Sequence, residues 1–219
     1  MSRLPVCEIF GPTIQGEGLY SGHRTMFIRM AGCDYRCSWC DTQYAQSVSQ
    51  AQQLLSEEEI VHLVNKRSCG GSRRVTVTGG NPCIHDLDKL IGLLHQENYV
   101  IHIETQGSII PPWLYNADHV CLSPKPPSSG NVTPVSAFDK FMHSDTSKEL
   151  KLVVGTEEDY IYAKQIYKQY PSYPFTLQAC TKEDPLPVLK WLIEYATADP
   201  DWGDNVKVLP QLHVLIGIK

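Results

Sequence analysis

The chain has 219 residues, 42% of them hydrophobic and 20% charged, which suits one sizeable core and a single domain over residues 1–219. A net charge of −5 argues against nucleic acid or a membrane surface as the main partner. No apolar run approaches the roughly 20 residues of a membrane span, and Met1-Ser2-Arg3-Leu4-Pro5-Val6 lacks the apolar centre of a secretion signal.

In chain order, Val6–Phe10 and Thr25–Met30 read as strands around the glycine-rich Ile14-Gln15-Gly16-Glu17-Gly18. Cys33, Cys37 and Cys40 follow on a loop. Ser56 and Glu59 form a capping box ahead of Ile60, Leu63 and Val64, which opens a helix. Arg74–Thr78 is a β-branched strand stopped by Gly79-Gly80-Asn81-Pro82. A helix is predicted from about Asp86 to Glu97, with Leu87, Leu90, Ile91 and Leu94 on one face. Tyr99–Glu104, Asp118–Ser123, Leu150–Val154 and Phe175–Gln178 are the later strands, with helices over Glu157–Tyr170 and Leu186–Ala198. Strand–helix alternation implies an α/β fold with a parallel sheet. A closed eightfold barrel usually needs ~250 residues, so a partial, open β/α barrel of about six mainly parallel strands is predicted. Polar residues cluster just after strands, where parallel architectures build their sites.

Eight cysteines could make four disulfides, but a core of this size needs no staples, and Cys7, Cys69, Cys83, Cys121 and Cys180 are scattered singly. A reducing cytoplasm is the expected compartment. The triplet Cys33, Cys37 and Cys40 is different, because no matched fourth cysteine accompanies it. Three thiolates can hold three irons of a cubane cluster and leave the fourth open to a small molecule. The same residues also read as a zinc site completed by Asp34, Asp41 or a distant histidine, or as ordinary core cysteines. Thr78-Gly79-Gly80-Asn81-Pro82 is either a turn or backbone that must approach a ligand closely. Ser123-Pro124-Lys125, Glu104 and Gln178 read as ligand contacts or as solvated strand ends. His23, His62, His85, His95, His102, His119 and His143 show no ligand spacing.

The cysteine loop, with its aromatic residue before the last cysteine, resembles the signature of the radical S-adenosylmethionine (SAM) superfamily. Phe10-Gly11-Pro12-Thr13-Ile14-Gln15-Gly16-Glu17-Gly18, Phe27-Ile28-Arg29 and Ala31-Gly32-Cys33 resemble the 7-carboxy-7-deazaguanine synthase family, which serves 7-deazapurine (queuosine precursor) biosynthesis. The resemblance runs from Val6 through Thr42. It recurs at Gly79-Gly80, Glu104-Thr105, Ser123-Pro124-Lys125, Leu177-Gln178 and Gln211-Leu212-His213.

The resemblance implies a lyase that converts 6-carboxy-5,6,7,8-tetrahydropterin to 7-carboxy-7-deazaguanine with loss of ammonia. It implies a [4Fe–4S] cluster on Cys33, Cys37 and Cys40, and a Mg²⁺ ion held by Thr42. SAM would be bound by Ser38, Trp39, Gly79, Gly80, Asn81, Glu104, Ser123, Pro124, Lys125 and Gln178, with Asn81 standing where the family carries glutamate. Ile14, Gln15, Gly16, Glu17, Arg29, Thr78, His213 and the terminal Lys219 would contact substrate, Arg29 pairing with its carboxylate. No side chain is assigned chemistry beyond the cluster and SAM. One electron would release methionine and a 5′-deoxyadenosyl radical, which takes a hydrogen from the carboxylate-bearing carbon before the ring rearranges. The resemblance further implies an electron donor such as flavodoxin and a homodimer. The apolar tail after Leu209 either closes the sheet as a helix or tucks into the site. Two other readings stand beside this one: an activase that makes a glycyl radical on another protein, and a zinc-stabilised binding module without catalysis.

Overall fold

In the computed structural model, which describes residues 3–181 and 184–218, the chain opens with an antiparallel pair. β1 (Leu4–Ile14) runs against β2 (Arg24–Met30), and β3 (Gln53–Leu55) adds to the other edge of β1. From there the predicted alternation holds: α1 (Glu57–Ser68), β4 (Arg74–Gly79), α2 (Asp88–Gln96), β5 (Val100–Thr105) and β6 (His119–Leu122). A short α3 (Asp139–Met142) leads to β7 (Lys148–Val154), α4 (Glu157–Gln169), β8 (Phe175–Ala179), α5 (Pro185–Ala198), β9 (Val206–Leu209) and α6 (Leu212–Leu215).

The sheet order is β3-β1-β2-β4-β5-β6-β7-β8-β9, and every neighbouring pair from β2 onward is parallel. Its first and last strands do not pair, so the barrel is open. Among the described residues there are nine strands, where about six were expected. β3 and β9 are the unforeseen ones; at three and four residues they are too short for a period-2 pattern to register.

The strands alternate in a way that builds the site. Ile28, Val75, Val77, Ile101, Ile103, Val120, Leu150 and Leu152 are buried against the helices. Their neighbours on the opposite face are polar and also buried: Thr76, Thr78, His102, His119, Glu149, Lys151 and Thr176. Parallel register places Thr76 beside His102, His102 beside His119, and Glu104 beside Cys121 and then Glu149. The sheet therefore has an apolar outer face under its helices and a polar concave face. The capping box forms as predicted, with Glu59 N donating to Ser56 Oγ at 3.2 Å and Ser56 N to Glu59 Oε2 at 2.7 Å.

Candidate active site

Above the carboxyl ends of the strands lies a cavity of about 410 Å³. Cys33, Cys37 and Cys40 all face it, as do Trp39, Thr42, Gly79, Gly80, Ser123 and Lys125 on the cofactor side. Ile14, Gln15, Gly16, Glu17, Arg29, Thr78, Glu104 and His213 line it as well. Most of the sequence-predicted site is thus gathered in one place.

The glycine pair explains how the cysteine loop is seated. Gly79 has φ +132°, and a Cβ there would sit 2.2 Å from Met30 O. A Cβ on Gly80 would sit 2.1 Å from Gly32 O. The strand end and the cysteine loop therefore pack backbone to backbone, which a side chain would forbid. Asn81 N donates to Gly32 O at 2.8 Å and completes that seam.

At the thiol end, burial pushes the Cys33 and Cys37 thiols up. Amide donors approach their sulfurs: Tyr35 N at 3.4 Å and Gln106 Nε2 at 3.7 Å from Cys33, and Asn131 Nδ2 at 3.7 Å from Cys37. Among the described residues no three His, Cys, Asp or Glu side chains draw close enough to hold one metal ion. Asp34, a suggested fourth zinc ligand, has Oδ1 bound by Asn81 Nδ2 at 2.8 Å and Gln106 Nε2 at 2.7 Å. Asp41, the other, accepts from Thr42 Oγ1 at 2.6 Å and Gln211 Nε2 at 3.1 Å. Three separated thiols around a cavity, with donors aimed at sulfur, fit a multi-iron cluster better than a tetrahedral ion. Lys125 Nζ donates to Ser123 O at 2.9 Å and Ser123 Oγ at 3.0 Å, leaving one of its three protons for a ligand carboxylate.

The opposite wall is dense with charge. Glu104 accepts from Gln15 Nε2 at 3.0 Å and from Thr78 Oγ1 at 2.7 Å. Glu17 pairs with Lys151 through Oε2 and accepts from Gln211 Nε2 at 2.5 Å through Oε1. Burial opposes the Glu17 charge, but the Lys151 ammonium and the Gln211 amide outweigh it and bring its pKa down to about 2. Arg29 donates through Nε to Glu8 Oε1 at 2.8 Å, and its guanidinium lies over the rings of Phe10 and Tyr44 at 5.6 and 6.0 Å. That grip occupies Nε and, among the described residues, leaves the terminal nitrogens of this cavity-lining side chain for a carboxylate.

Not every expected residue meets the cavity as assigned. Glu104, assigned to the cofactor, does line it and is bonded to Gln15 and Thr78, which were assigned to substrate. Gln178 does not line the cavity: it is fully buried, and its Nε2 donates to Leu209 O at 2.9 Å. Asn81 turns its side chain into the fold, where Oδ1 accepts from Thr105 Oγ1 at 2.9 Å and Cys83 N at 3.2 Å. Ser38 and Pro124 are not lining residues either; Ser38 Oγ is held by Ser128 O at 2.8 Å. The assigned Lys219 lies outside the described residues.

The tail takes the second of its two predicted courses. Leu212 N donates to Gly16 O at 2.9 Å, and His213, Val214 and Ile218 reach the cavity. Sequence reasoning did not find Lys151, Glu8 or Asn131, and it marked the segments of Gln106 and Gln211 without giving either side chain a role. Lys151 carried a readable signal, a charge within an apolar strand, the same feature that marked Arg29. Glu8 lies within β1 at a register irregularity, and the others lie off the strands, where no periodicity reports a direction.

No helix among the described residues is long and apolar enough to cross a membrane. Residues 27–117 match the radical SAM superfamily. The chain is 40% identical to the 7-carboxy-7-deazaguanine synthase of Bacillus cereus, the match covering 99% of this chain and 97% of that one. It is 39% identical to the enzyme of the same name from Bacillus subtilis, over 97% and 96%. The crystal structure of QueE from Escherichia coli superposes with a TM-score of 0.72 at 26% identity, covering 96% of this chain and 95% of that one. With its thiols, glycine seam and carboxylate wall in one cavity, and these relatives along its whole length, the chain belongs to the 7-carboxy-7-deazaguanine synthase family of radical SAM enzymes.

Proposed function

We propose that this chain is the lyase that contracts 6-carboxy-5,6,7,8-tetrahydropterin to 7-carboxy-7-deazaguanine with release of ammonia, acting as a single domain. The observation that carries the reading is one cavity holding both the three thiols and the Gln15, Glu17 and Arg29 set. Cys33, Cys37 and Cys40 would hold a [4Fe–4S] cluster, and Lys125 with the Gly79-Gly80 backbone would receive SAM. When bound, this pair supplies the radical that takes a hydrogen from substrate.

The residues of the chain bind, orient and exclude water. The free fork of Arg29 pairs with the substrate carboxylate, while Glu8 holds its Nε and fixes the plane of the guanidinium. Glu17 accepts from the pterin's amine and ring N–H groups, and Gln15 can donate or accept beside it. Thr42 Oγ1 donates a hydrogen bond to Asp41 Oδ1 and keeps its lone pairs; a neutral hydroxyl of this kind suits Mg²⁺ that keeps waters or substrate oxygens. His213 and Ile218 line one side of the cavity. A small flavoprotein such as flavodoxin as electron donor, a homodimer and a cytoplasmic location complete the proposal.

The test is anaerobic incubation of cluster-reconstituted protein with SAM, reductant and the carboxypterin. Formation of the deazaguanine and ammonia is expected, with Arg29→Ala keeping cluster absorbance yet losing most turnover. A glycyl-radical activase would have no use for the charged wall and would give no deazaguanine. A zinc module would emerge colourless.

A further inference from the structure

Two carboxylates face the substrate end of the cavity, Glu17 from the N-terminal loop and Glu104 from the end of β5. Like charges buried in one wall disfavour each other, and one of them is ordinarily pushed toward its protonated form. A protonated carboxyl presents an O–H as well as an acceptor, so it can meet a ring N–H with the wrong polarity. Something must hold the acceptors as acceptors.

Lys151 lies between them. It projects from the concave face of β7, and its side chain is only 6% exposed. Its Nζ contacts Glu17 Oε2 and stands 3.8 Å from Glu104 Oε1. A lysine this buried survives only with paired charge around it. The other ionisable groups on Glu17 are His213 from the C-terminal turn, Cys121 on β6, and Lys125 beyond β6. Glu149, two residues before Lys151 on the same face of β7, completes the set through its field on Cys121. It is committed elsewhere, accepting from Leu19 N at 2.7 Å. Among the described residues, only the Lys151 ammonium forms an ion pair with Glu17 and reaches Glu104 as well.

We propose that Lys151 is a positioning residue that keeps Glu17 an ionised acceptor next to Glu104, and thereby sets the preference of this wall for a ring edge built of N–H donors. The inference rests on the reading above that the wall receives the pterin's amine and amide edge. Lys151 touches the carboxylates rather than the reacting carbon, so it governs binding polarity and not hydrogen abstraction. The very low pKa of Glu17 agrees with this arrangement.

The experiment measures the dissociation constant of the carboxypterin for cluster-loaded, SAM-bound enzyme by anaerobic equilibrium dialysis. Wild type, Lys151→Met and Lys151→Arg are compared. Wild type is expected to bind with nearly constant affinity from about pH 6 to about pH 9, because its acceptor does not titrate there. Lys151→Met should bind about tenfold or more weakly near pH 6 and regain affinity as pH rises, by up to about tenfold per unit, as Glu17 loses its proton. Lys151→Arg should stay within about threefold of wild type at every pH, since the charge is kept.

A loss in Lys151→Met that is the same at every pH, or no loss at all, overturns the proposal. If Lys151→Met does not fold, infrared spectra of folded Lys151→Gln replace it. A protonated-carboxyl band that is missing from wild type and disappears in Lys151→Gln/Glu17→Gln supports the proposal, and its absence overturns it. Wild type that binds no carboxypterin at any pH refutes the parent reading and this inference with it, an outcome distinct from a flat profile in the variant.

Discussion

The two ends of the cavity are built on opposite principles. At the carboxylate wall the acceptors are already answered: Glu104 by Gln15 and Thr78, Glu17 by Lys151 and Gln211. At the thiol end burial raises the pKa of Cys33 and Cys37, while the amide donors from Tyr35, Gln106 and Asn131 stand at 3.4–3.7 Å from sulfur. The wall is organised by the protein alone and costs nothing further to assemble when substrate arrives. The thiol end reaches its favourable state only when thiolate forms on a metal, so its binding energy comes with the inorganic partner. The wall also adds a definite pH dependence. A carboxyl depressed to about 2 contributes stability that is complete above the ordinary carboxylate range and is lost as pH falls toward that value.

If the two ends are independent, breaking one should spare the other. The largest effect is expected from Cys37→Ala, which leaves two thiols where a cubane needs three from the protein. Visible cluster absorbance after anaerobic reconstitution should vanish. The unfolding midpoint of the metal-free protein should stay near wild type, because this half-buried side chain makes few contacts to lose. A metal-free variant that melts far below wild type would mean that the thiol end supports the wall after all.

Gly80→Ala attacks the seam between the ends and should be milder. The new Cβ would meet Gly32 O at 2.1 Å and Ala45 O at 2.7 Å, both backbone atoms that cannot swing aside. Overpacking of this kind costs about 1–3 kcal/mol, a fall in Tm of roughly 2–12 °C for a chain of this length. Cluster occupancy should fall with it, because the displaced segment carries Cys33. Unchanged Tm with full occupancy would show that the seam yields more easily than its contacts imply.

What could be read from the sequence follows the same division. The thiol end was legible because its chemistry is local: three cysteines within eight positions, and a glycine pair directly after a β-branched strand. The parallel strands were legible because Val, Ile and Leu alternate with polar residues over five or more positions. The wall was half legible. Gln15, Glu17 and Arg29 belong to a recognisable N-terminal segment, but Lys151 is 134 residues from Glu17 and Gln211 is 194. Contacts of that range depend on where β7 and the tail fall in the assembled sheet, and no local pattern encodes them. Gln178 failed for a related reason. The end of β8 reads like the end of β5, yet β9 pairs beside it and takes its amide. A four-residue strand that escaped notice thus turned an expected cofactor contact into a buried one.

The smallest prediction serves as a control for the seam. Gly92 lies inside α2, exposed, and a Cβ built there meets nothing within 4 Å. Its φ is not in the left-handed region, so alanine adopts the same backbone without strain. Glycine in a helix interior is roughly 0.5–1 kcal/mol less favourable than alanine, chiefly because the unfolded chain is freer. Gly92→Ala should therefore raise Tm by a few degrees, about 2–4 °C per kcal/mol, and leave cluster absorbance and carboxypterin affinity unchanged. The same substitution then moves stability in opposite directions at positions 80 and 92, and only the first reaches the metal. A loss of cluster in Gly92→Ala would show that α2 communicates with the cysteine loop through β4, and the separation between scaffold and seam would have to be given up.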